Sequence, residues 1–169
     1  MTYIPKYQNR LKKFKKQLDS LSESEIGYLA GIIDGEGCLG LYRTHRKNII
    51  CSVITRCSIA NTNKKMIDYI TNLLSEGSNI YVAAKKNKKT WTMGKEIIGN
   101  KKCWSITIQH RPFTFIFLKK IIPQLIAKKE QAKLIVKFIE QRQGRFHSPY
   151  TYKELKLVEQ SHKNNRPKS

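Results

Sequence analysis

The spacing of apolar residues predicts alternating helices and strands in the first part of the chain. Residues 6–21 place leucines and a phenylalanine at near-helical intervals among lysines, which is typical of a short amphipathic basic helix. Ser22 and Glu25 have the spacing of a capping box, so a second helix is expected to begin there and to end at the glycines of residues 35–37. Alternating apolar and polar residues then predict strands over 38–46 and 48–60.

The rest of the chain continues this pattern. It predicts a helix from Thr62 to Gly77, and strands over 79–84 and 102–110 separated by a lysine-rich loop. It then predicts a helix from Phe113 that ends near Pro123, followed by helices over 127–144 and 151–163. The order of elements predicts an α+β domain whose antiparallel sheet is covered by helices on one face. We expect a basic N-terminal extension over residues 1–21, a core domain over 22–144, and a C-terminal helix with a basic tail over 145–169.

The charge of the chain indicates its class of partner. Thirty-three Lys and Arg residues against 12 Asp and Glu residues give a formal net charge of +21. Self-repulsion of this size favours a polyanionic partner, and nucleic acid is the most common one; an anionic membrane surface or heparin is the alternative. No run of about 20 apolar residues and no signal-peptide core is present, so we expect neither a membrane-spanning nor a Sec-exported protein, and an intracellular location.

The cysteines and histidines do not point to a metal or redox motif. Cys38, Cys51, Cys57 and Cys103 lack the two-residue gap of a zinc knuckle or a redox pair. The four histidines are equally scattered, so surface or phosphate-contacting positions are expected for them.

One face of the predicted sheet is polar. Such a face suits a DNA groove, where strands present side chains to base edges, although an ordinary solvated face is the alternative. The candidate DNA contacts on or beside this face are Tyr42, Thr44, Arg46, Ser52, Arg56, Ser58, Tyr81, Lys85, Ser105, Thr107 and Gln109.

The second helix carries an unfavourable set of glycines. Gly27, Gly31 and Gly35 lie on one side of it, and each costs roughly 0.8–1 kcal/mol relative to Ala in a helix interior. Close approach of another helix would offset that cost. We expect a symmetric homodimer with Gly27, Gly31 and the flanking Ala30 and Asp34 at the interface; packing against a helix of the same chain is the alternative.

Two acidic residues stand at the end of this helix, in a chain with few carboxylates. Asp34 and Glu36 would repel bound phosphates unless a cation lies between them, and Mg²⁺ takes oxygen ligands from one or two carboxylates plus substrate phosphates. A twofold axis would bring one Glu36 to each strand of a duplex, the geometry of metal-assisted cleavage of both strands. Helix capping is the alternative role, more so for Asp34.

The segment Leu29–Gly37, LAGIIDGEG, resembles the defining motif of the LAGLIDADG homing endonucleases, with Gly for the second Ala and Glu for the second Asp. The resemblance implies an αββαββα core over residues 22–144 and, from a single motif, the homodimeric branch of the family. It also implies that Glu36 is the catalytic carboxylate, that Glu36 and the Gly35 carbonyl bind Mg²⁺ or Mn²⁺, and that Asp34 caps the interface helix.

Two further catalytic residues follow from the resemblance. Lys128 matches the position of the active-site lysine, with Lys129 as its rival, and Asn61 matches a polar residue that positions water. Lys64 or Lys65 is a neighbouring basic group.

The implied function is a site-specific, metal-dependent double-strand break in a long pseudo-palindromic DNA site, by an intron-encoded enzyme. The alternatives are a maturase that binds intron RNA and a non-catalytic DNA-binding regulator. The excess of lysine over arginine indicates an A/T-rich genome, consistent with a chloroplast, a mitochondrion or a prokaryotic cytoplasm.

Overall fold

A computed structural model describes residues 3–46, 49–84, 89–92, 95–98, 101–108, 110–144 and 148–165. These residues form α1 (Tyr3–Asp19), α2 (Glu23–Glu36), β1 (Gly37–Arg46), β2 (Ile49–Asn61), α3 (Lys64–Leu73), β3 (Ser78–Ala84), β4 (Lys89–Thr92), β5 (Lys95–Ile98), β6 (Cys103–Ile108), α4 (Arg111–Ile121), α5 (Lys129–Gln141) and α6 (Tyr152–Asn164). A short 3₁₀ turn over Ile122–Gln124 joins α4 to the segment before α5. The predicted α+β class is confirmed.

The main sheet has four antiparallel strands in the order β1-β2-β6-β3. Leu39 opposes Cys57, and Ile59 opposes Ile106, and all four side chains are buried. Their neighbours along the strands, such as Arg56 and Ser58, project from the other face because successive side chains of a strand alternate. The sheet therefore has an apolar inner face and an outer face available to a partner.

Helix α2 is shaped by local sequence signals. The Ser22 backbone N–H donates to the Glu25 carboxylate at 2.8 Å and the Glu25 N–H donates to Ser22 Oγ at 3.3 Å, which completes the predicted capping box. The apolar face of the helix, Ile26, Leu29 and Ile33, is buried in the core. This packing fixes where the helix ends, and β1 begins at the next residue.

Both terminal helices contribute side chains to the same core. Phe14 and Leu18 of α1 are buried, and the Phe14 ring lies 5.5 Å from that of Phe113 in α4. In α6, Leu157 and Val158 are buried as well. Helix α1 is thus held on the helical layer that covers the inner face of the sheet.

The outer edge of β1 is covered by polar side chains from the helices. Ser161 Oγ accepts from the Leu41 N–H at 3.0 Å, and Asn165 Nδ2 donates to the Leu39 carbonyl at 3.0 Å. Gln131 Nε2 donates to Ser161 Oγ at 2.6 Å. An unpaired strand edge invites pairing with another chain, and these bonds protect it.

Two elements differ from the sequence prediction. The segment after β3 was expected to be a loop, but its described residues form the β4–β5 hairpin, with Trp91 opposite Glu96. The first helix begins at Tyr3 and not at residue 6. Helix α4 ends at Ile121, near Pro123 as predicted. No helix in the described part of the chain is both long and apolar enough to cross a membrane.

Candidate DNA-binding face and carboxylate site

The outer face of the sheet brings together most of the predicted DNA contacts. Strand register pairs Thr44 with Ser52 and Ser58 with Thr107, and the Thr44 hydroxyl also donates to the Ser52 carbonyl at 3.1 Å. Alternation places Tyr42 and Arg56 on the same face. These side chains form a polar, positively charged surface of the kind that contacts bases and phosphates in a groove.

Tyr42 of β1 and Arg56 of β2 are held against each other on this face. The Arg56 guanidinium lies 4.9 Å from the centre of the Tyr42 ring, and the Tyr42 hydroxyl lies 3.5 Å from Cys38 Sγ. A Cβ on Gly40 would lie 2.6 Å from the ring, so only glycine leaves room for it. Partial burial, with the Cys38 contact, raises the pKa of Tyr42 to about 12 despite the lowering effect of Arg56, so its hydroxyl remains a hydrogen-bond donor at neutral pH.

Ser105 is a correction to the predicted contacts. Ser105 pairs with Ala60 and Tyr81, and strand alternation places it on the outer face. Its side chain is nevertheless buried, because only 3% of the residue is exposed. Its position on β6 places it between β2 and β3, whereas Thr107 on the same strand remains half-buried. Ser105 is therefore unavailable as an accessible base contact.

The other predicted contacts are described only in part. The backbone of Tyr81 pairs with Ser105 across the β3–β6 ladder. Arg46 pairs with Ile49, beyond a shift in the β1–β2 register that follows Thr44. Lys85 and Gln109 lie outside the described residues.

One residue not predicted from sequence is Ile54, which opposes Tyr42 and is 51% exposed on the outer face. Its position was readable from strand alternation, but apolar residues were assigned only to the core.

The end of α2 is joined to the segment before α5 by reciprocal bonds. The Asp34 carboxylate accepts from the Ile126 N–H at 2.7 Å and from the Lys128 N–H at 2.8 Å. In return, Lys128 Nζ donates to the carbonyls of Ile33 at 2.8 Å and Asp34 at 2.7 Å. The resemblance implied that Asp34 caps its own helix; the carboxylate instead binds the backbone before α5, because that segment presents free N–H groups to it.

The electrostatics of Asp34 follow from these bonds. Partial burial alone would raise the pKa of Asp34, but the N–H groups of Ile126, Lys128 and Ala127, and the Lys128 charge, together lower that pKa below its ordinary value of 3.8. Lys128 places its positive charge at the carboxyl end of α2, where the helix dipole is negative. A lysine ammonium has three donors, so one N–H remains after the two carbonyl bonds.

Glu36 is the available carboxylate at this site. It is exposed and directly precedes β1. Among the residues whose side chains the structure describes, Glu36 and Glu76 are the acidic residues whose carboxylates have no hydrogen bond or ion pair; the others are bound to a neighbour. An exposed carboxylate with no ion pair in the described part of the chain is free to bind a cation.

Asn61 lies at the same end of the sheet as Glu36. The sheet register pairs Gly37 with Ile59, so Glu36 and Asn61 both follow the end of the β1–β2 ladder. The Asn61 Oδ1 accepts from the Asn63 N–H at 2.8 Å, a turn that starts α3. Within the described residues the Asn61 Nδ2 group has no hydrogen-bond acceptor, so it can donate to a ligand.

Trp104 opposes Asn61 across the ladder and is flanked by two lysines. Lys64 Nζ lies 5.8 Å and Lys102 Nζ 5.3 Å from the Trp104 ring centre. Lys64 also forms an ion pair with Asp68. This group places positive charge beside the predicted site, and Lys64, one of the two predicted basic residues, belongs to it; Lys65 is exposed without such a contact among the described residues.

The glycine stripe divides into two parts. Gly31 and Gly35 are exposed, and a Cβ on either would meet no atom of this chain within 4 Å. A Cβ on Gly27 would lie 2.9 Å from Gln124 Oε1, the end of a flexible side chain, so this glycine faces a residue of its own chain that can move aside. Ala30 is also a correction, because it is fully buried in the core of its own chain. The surface left for a second molecule is centred on Gly31 and Gly35.

Glu36 and the Gly35 carbonyl supply too few oxygen ligands to hold a hard cation without further ligands from water or another molecule. No group of three or more His, Cys, Asp or Glu side chains suited to a metal occurs among the described residues. Glu36 and the Gly35 carbonyl supply oxygen ligands, which Mg²⁺ prefers, and Mg²⁺ commonly takes its remaining ligands from water and substrate phosphates. The residues therefore fit a cation that is bound with nucleic acid, and not an all-protein metal site.

Solved structures show what class of fold this is. No family model and no curated protein matches the chain. The chain is similar to the homing endonuclease I-CvuI in complex with a DNA target, with 18% identity and a TM-score of 0.64 over 87% of this chain and 85% of that one. It is also similar to the archaeal intron-encoded homing endonuclease I-Vdi141I complexed with DNA, with 16% identity and a TM-score of 0.60 over 87% of each chain.

A longer relative is matched in part. The LAGLIDADG meganuclease I-AabMI, bound to uncleaved DNA, has a TM-score of 0.55 and 18% identity over 73% of this chain but only 39% of its own. The chain thus corresponds to less than half of that structure. Together with the LAGIIDGEG segment at the end of α2, these similarities show that the chain has the LAGLIDADG homing endonuclease fold.

Proposed function

We propose that this chain is a site-specific DNA endonuclease that acts as a homodimer and requires a divalent cation. The observation that carries the proposal is Glu36, an exposed and unpaired carboxylate at the end of α2, beside a lysine that is anchored to the same helix end. In a chain of net charge +21, an unpaired Glu36 carboxylate is accounted for by a divalent cation that binds both this carboxylate and the phosphates of the substrate.

The outer sheet face supports the choice of duplex DNA as substrate. This face presents one guanidinium and three hydroxyl groups from adjacent strands, those of Arg56, Tyr42, Ser58 and Thr107. Antiparallel strands can enter a DNA major groove and contact base edges with such side chains. The solved structures of I-CvuI, I-Vdi141I and I-AabMI are DNA complexes of the same fold. We infer direct reading of bases by this face, with bending of the central base pairs as a further source of specificity.

A second copy of the chain completes the enzyme in this proposal. The open surface at Gly31 and Gly35 permits close approach of two α2 helices, and a twofold axis there sets one Glu36 against each DNA strand. The target is then a long pseudo-palindromic site.

The chemistry follows from the residues around the scissile phosphate. Glu36 and the Gly35 carbonyl would hold the cation, which would supply positive charge to the phosphate and lower the pKa of water. The third N–H of Lys128 offsets charge that develops on the phosphate oxygens, and the Asn61 amide orients the attacking water. Hydrolysis leaves 5′-phosphate and 3′-hydroxyl ends. We infer an intron-encoded enzyme that mobilises its own gene, within an organelle or a prokaryotic cell.

The test is cleavage of a plasmid library with a randomised insert, in Mg²⁺ and in Mn²⁺, by the natural chain and by Glu36→Gln. We expect linear product from the natural chain at a restricted set of inserts. Glu36→Gln should abolish cleavage and keep binding to the selected insert, because glutamine retains the volume but loses the charge. Glu76→Gln is the matched control, since Glu76 is the other unpaired carboxylate among the described side chains, and it should cleave normally.

The outcomes separate the alternatives. Full cleavage by Glu36→Gln with metal present would contradict the assignment of Glu36. Binding without cleavage by the natural chain would favour a DNA-binding regulator. If the chain cuts no DNA and its presence promotes splicing of its host intron RNA, the maturase alternative is correct.

A further inference from the structure

A second basic surface lies on the helical side of the molecule. Helix α1 exposes Lys12, Lys13, Lys15 and Lys16, and none of them has a hydrogen bond or ion pair to a described residue. The opposite side of the helix is anchored, because Phe14 and Leu18 are buried and Arg10 Nε donates to the Glu76 carbonyl at 2.7 Å. The lysines are therefore held on a fixed helix and not on a frayed terminus.

A groove runs between α1 and α4 beside these lysines. Two adjoining cavities of about 290 Å³ and about 240 Å³ share Phe115 and Ile116 as lining residues. Lys15 lines the larger cavity from α1, and Lys119 and Lys120 line it from α4. The groove thus has an apolar floor with an aromatic ring and a rim of lysines.

The groove faces away from the DNA-binding face of the sheet. Phe113 and Phe117 form the buried side of α4, toward the core. Phe115 lies on the opposite side of the same helix, and the partly exposed Ile116 lies at the border of the buried side. Since helices cover the inner face of the sheet, a duplex bound by Tyr42 and Arg56 lies on the other side of the molecule. A ligand in the groove can bind at the same time as that duplex.

Charge and shape together select the occupant. Two acidic residues adjoin the rim and pair with two of its lysines: Asp19 lies 4.0 Å from Lys120 and Glu140 3.0 Å from Lys119. Both pairs are partly exposed and therefore weak, so a phosphate can replace either carboxylate, and Lys15 has no ion pair to a described residue. Lys119 Nζ also lies 5.0 Å from the centre of the Phe115 ring. Single strands are bound by such a combination, a positive groove that follows the backbone and aromatic rings on which bases stack. A duplex hides its bases and leaves the apolar floor without a partner.

We propose that the α1–α4 groove is a second nucleic-acid site, which binds a single-stranded segment with its phosphates on Lys15, Lys119 and Lys120 and a base on Phe115. The site extends the proposed function, but it does not depend on cleavage. An oligonucleotide experiment without metal therefore tests it even if the chain cuts no DNA.

The experiment measures the binding of fluorescent mixed-sequence single-stranded RNA and DNA oligonucleotides by anisotropy over a range of salt concentrations. Lys15→Gln/Lys119→Gln should weaken binding and reduce the slope of log K against log salt by about 1.4, since each lost single-strand phosphate contact removes about 0.7. The matched control Lys137→Gln/Lys153→Gln removes the same charge at exposed positions outside the groove and should leave the slope unchanged.

Stacking and independence from the sheet are tested separately. Phe115→Leu keeps an apolar side chain but removes the ring, and it should weaken single-strand binding about fivefold. Arg56→Gln should weaken duplex binding and leave single-strand binding unchanged. Saturating unlabelled duplex should not displace the bound single strand.

Three results would overturn the proposal. One is equal salt slopes for the groove variant and its control, which would mean that general charge alone binds the strand. Another is displacement of the single strand by duplex, which would assign both to the sheet. The third is loss of binding to phosphatidylserine vesicles, but not to oligonucleotides, in the groove variant, which would assign the groove to a lipid surface.

Discussion

Lys128 binds Asp34 through both its backbone and its side chain. Its N–H donates to the Asp34 carboxylate at 2.8 Å, and its Nζ donates to the Asp34 carbonyl at 2.7 Å. The two residues are 94 positions apart in the chain. This pair joins the end of α2 to the start of α5, and it fixes the backbone two residues before Glu36.

Asp34→Asn should destabilise the protein in a pH-dependent way. The amide loses the charge that two backbone N–H groups now bind, and because the site is partly exposed we expect a cost of about 1–2 kcal/mol at pH 7. The pKa of Asp34 is lowered in the folded protein, so its contribution is fully present above the ordinary value of 3.8 and is lost as the pH falls through the lower folded value.

The measurement is denaturant unfolding of both proteins from pH 7 to pH 3. The difference in the free energy of unfolding should be constant down to about pH 4 and should then shrink, because the natural side chain becomes protonated. A difference that stays constant to the lowest pH would show that the charge of Asp34 does not stabilise the fold.

Lys128→Met should reduce both cleavage and stability. It removes the ammonium from the carboxyl end of α2, and loss of one group that stabilises developing charge costs about 10²–10³ in rate. The free energy of unfolding should fall by about 1–2 kcal/mol, because two carbonyls lose their donor. Single-turnover cleavage and denaturant unfolding measure the two effects.

Lys129→Met is the matched control for that variant. Lys129 is the neighbouring lysine, and its Nζ donates to the Pro123 carbonyl at 3.2 Å, away from the end of α2. Its cleavage rate should stay within a few fold of the natural rate. The reverse result, with Lys129→Met inactive and Lys128→Met active, would transfer the catalytic role to Lys129.

Arg56→Gln should weaken duplex binding about tenfold, equivalent to about 1.4 kcal/mol, because a guanidinium on the outer face is lost. Arg43→Gln is the control: Arg43 lies on the alternate register position opposite Val53 and pairs with Glu159 at 3.4 Å. Fluorescence anisotropy with a labelled duplex compares the two. Equal losses for both variants would mean that the sheet face does not select the duplex.

Local signals made much of this fold predictable. The capping box at Ser22 and the apolar residues Ile26, Leu29 and Ile33 act within one helix, and the structure confirms both. Period-two alternation likewise predicted which residues of β2 are buried. These features depend on neighbours a few residues away, which is the range that a sequence pattern records.

The features that were missed depend on contacts between distant segments. The Asp34–Lys128 pair, the burial of Ala30 and the cover over Ser105 all require knowledge of which elements pack together. Sequence pattern also missed the β4–β5 hairpin, because each strand has only four residues and lies in a lysine-rich segment. Gly27 was assigned to a dimer because its partner Gln124 is far along the chain.

Gly31→Leu should separate folding from pairing. Within this chain a side chain at Gly31 meets no atom within 4 Å, so the monomer should fold and α2 should gain up to about 0.8 kcal/mol in helix propensity. At the surface between two α2 helices the same side chain should block close approach. Gly27→Ala is the control, because it disturbs Gln124 in its own chain and should still form dimers.

The most direct measurement is the number of subunits on DNA, by sedimentation equilibrium with a short labelled duplex. We predict two natural chains per duplex, with one Glu36 for each strand, and one chain or none for Gly31→Leu. A single natural chain per duplex that still cuts both strands would contradict the pairing of α2 helices and the placement of the catalytic carboxylates.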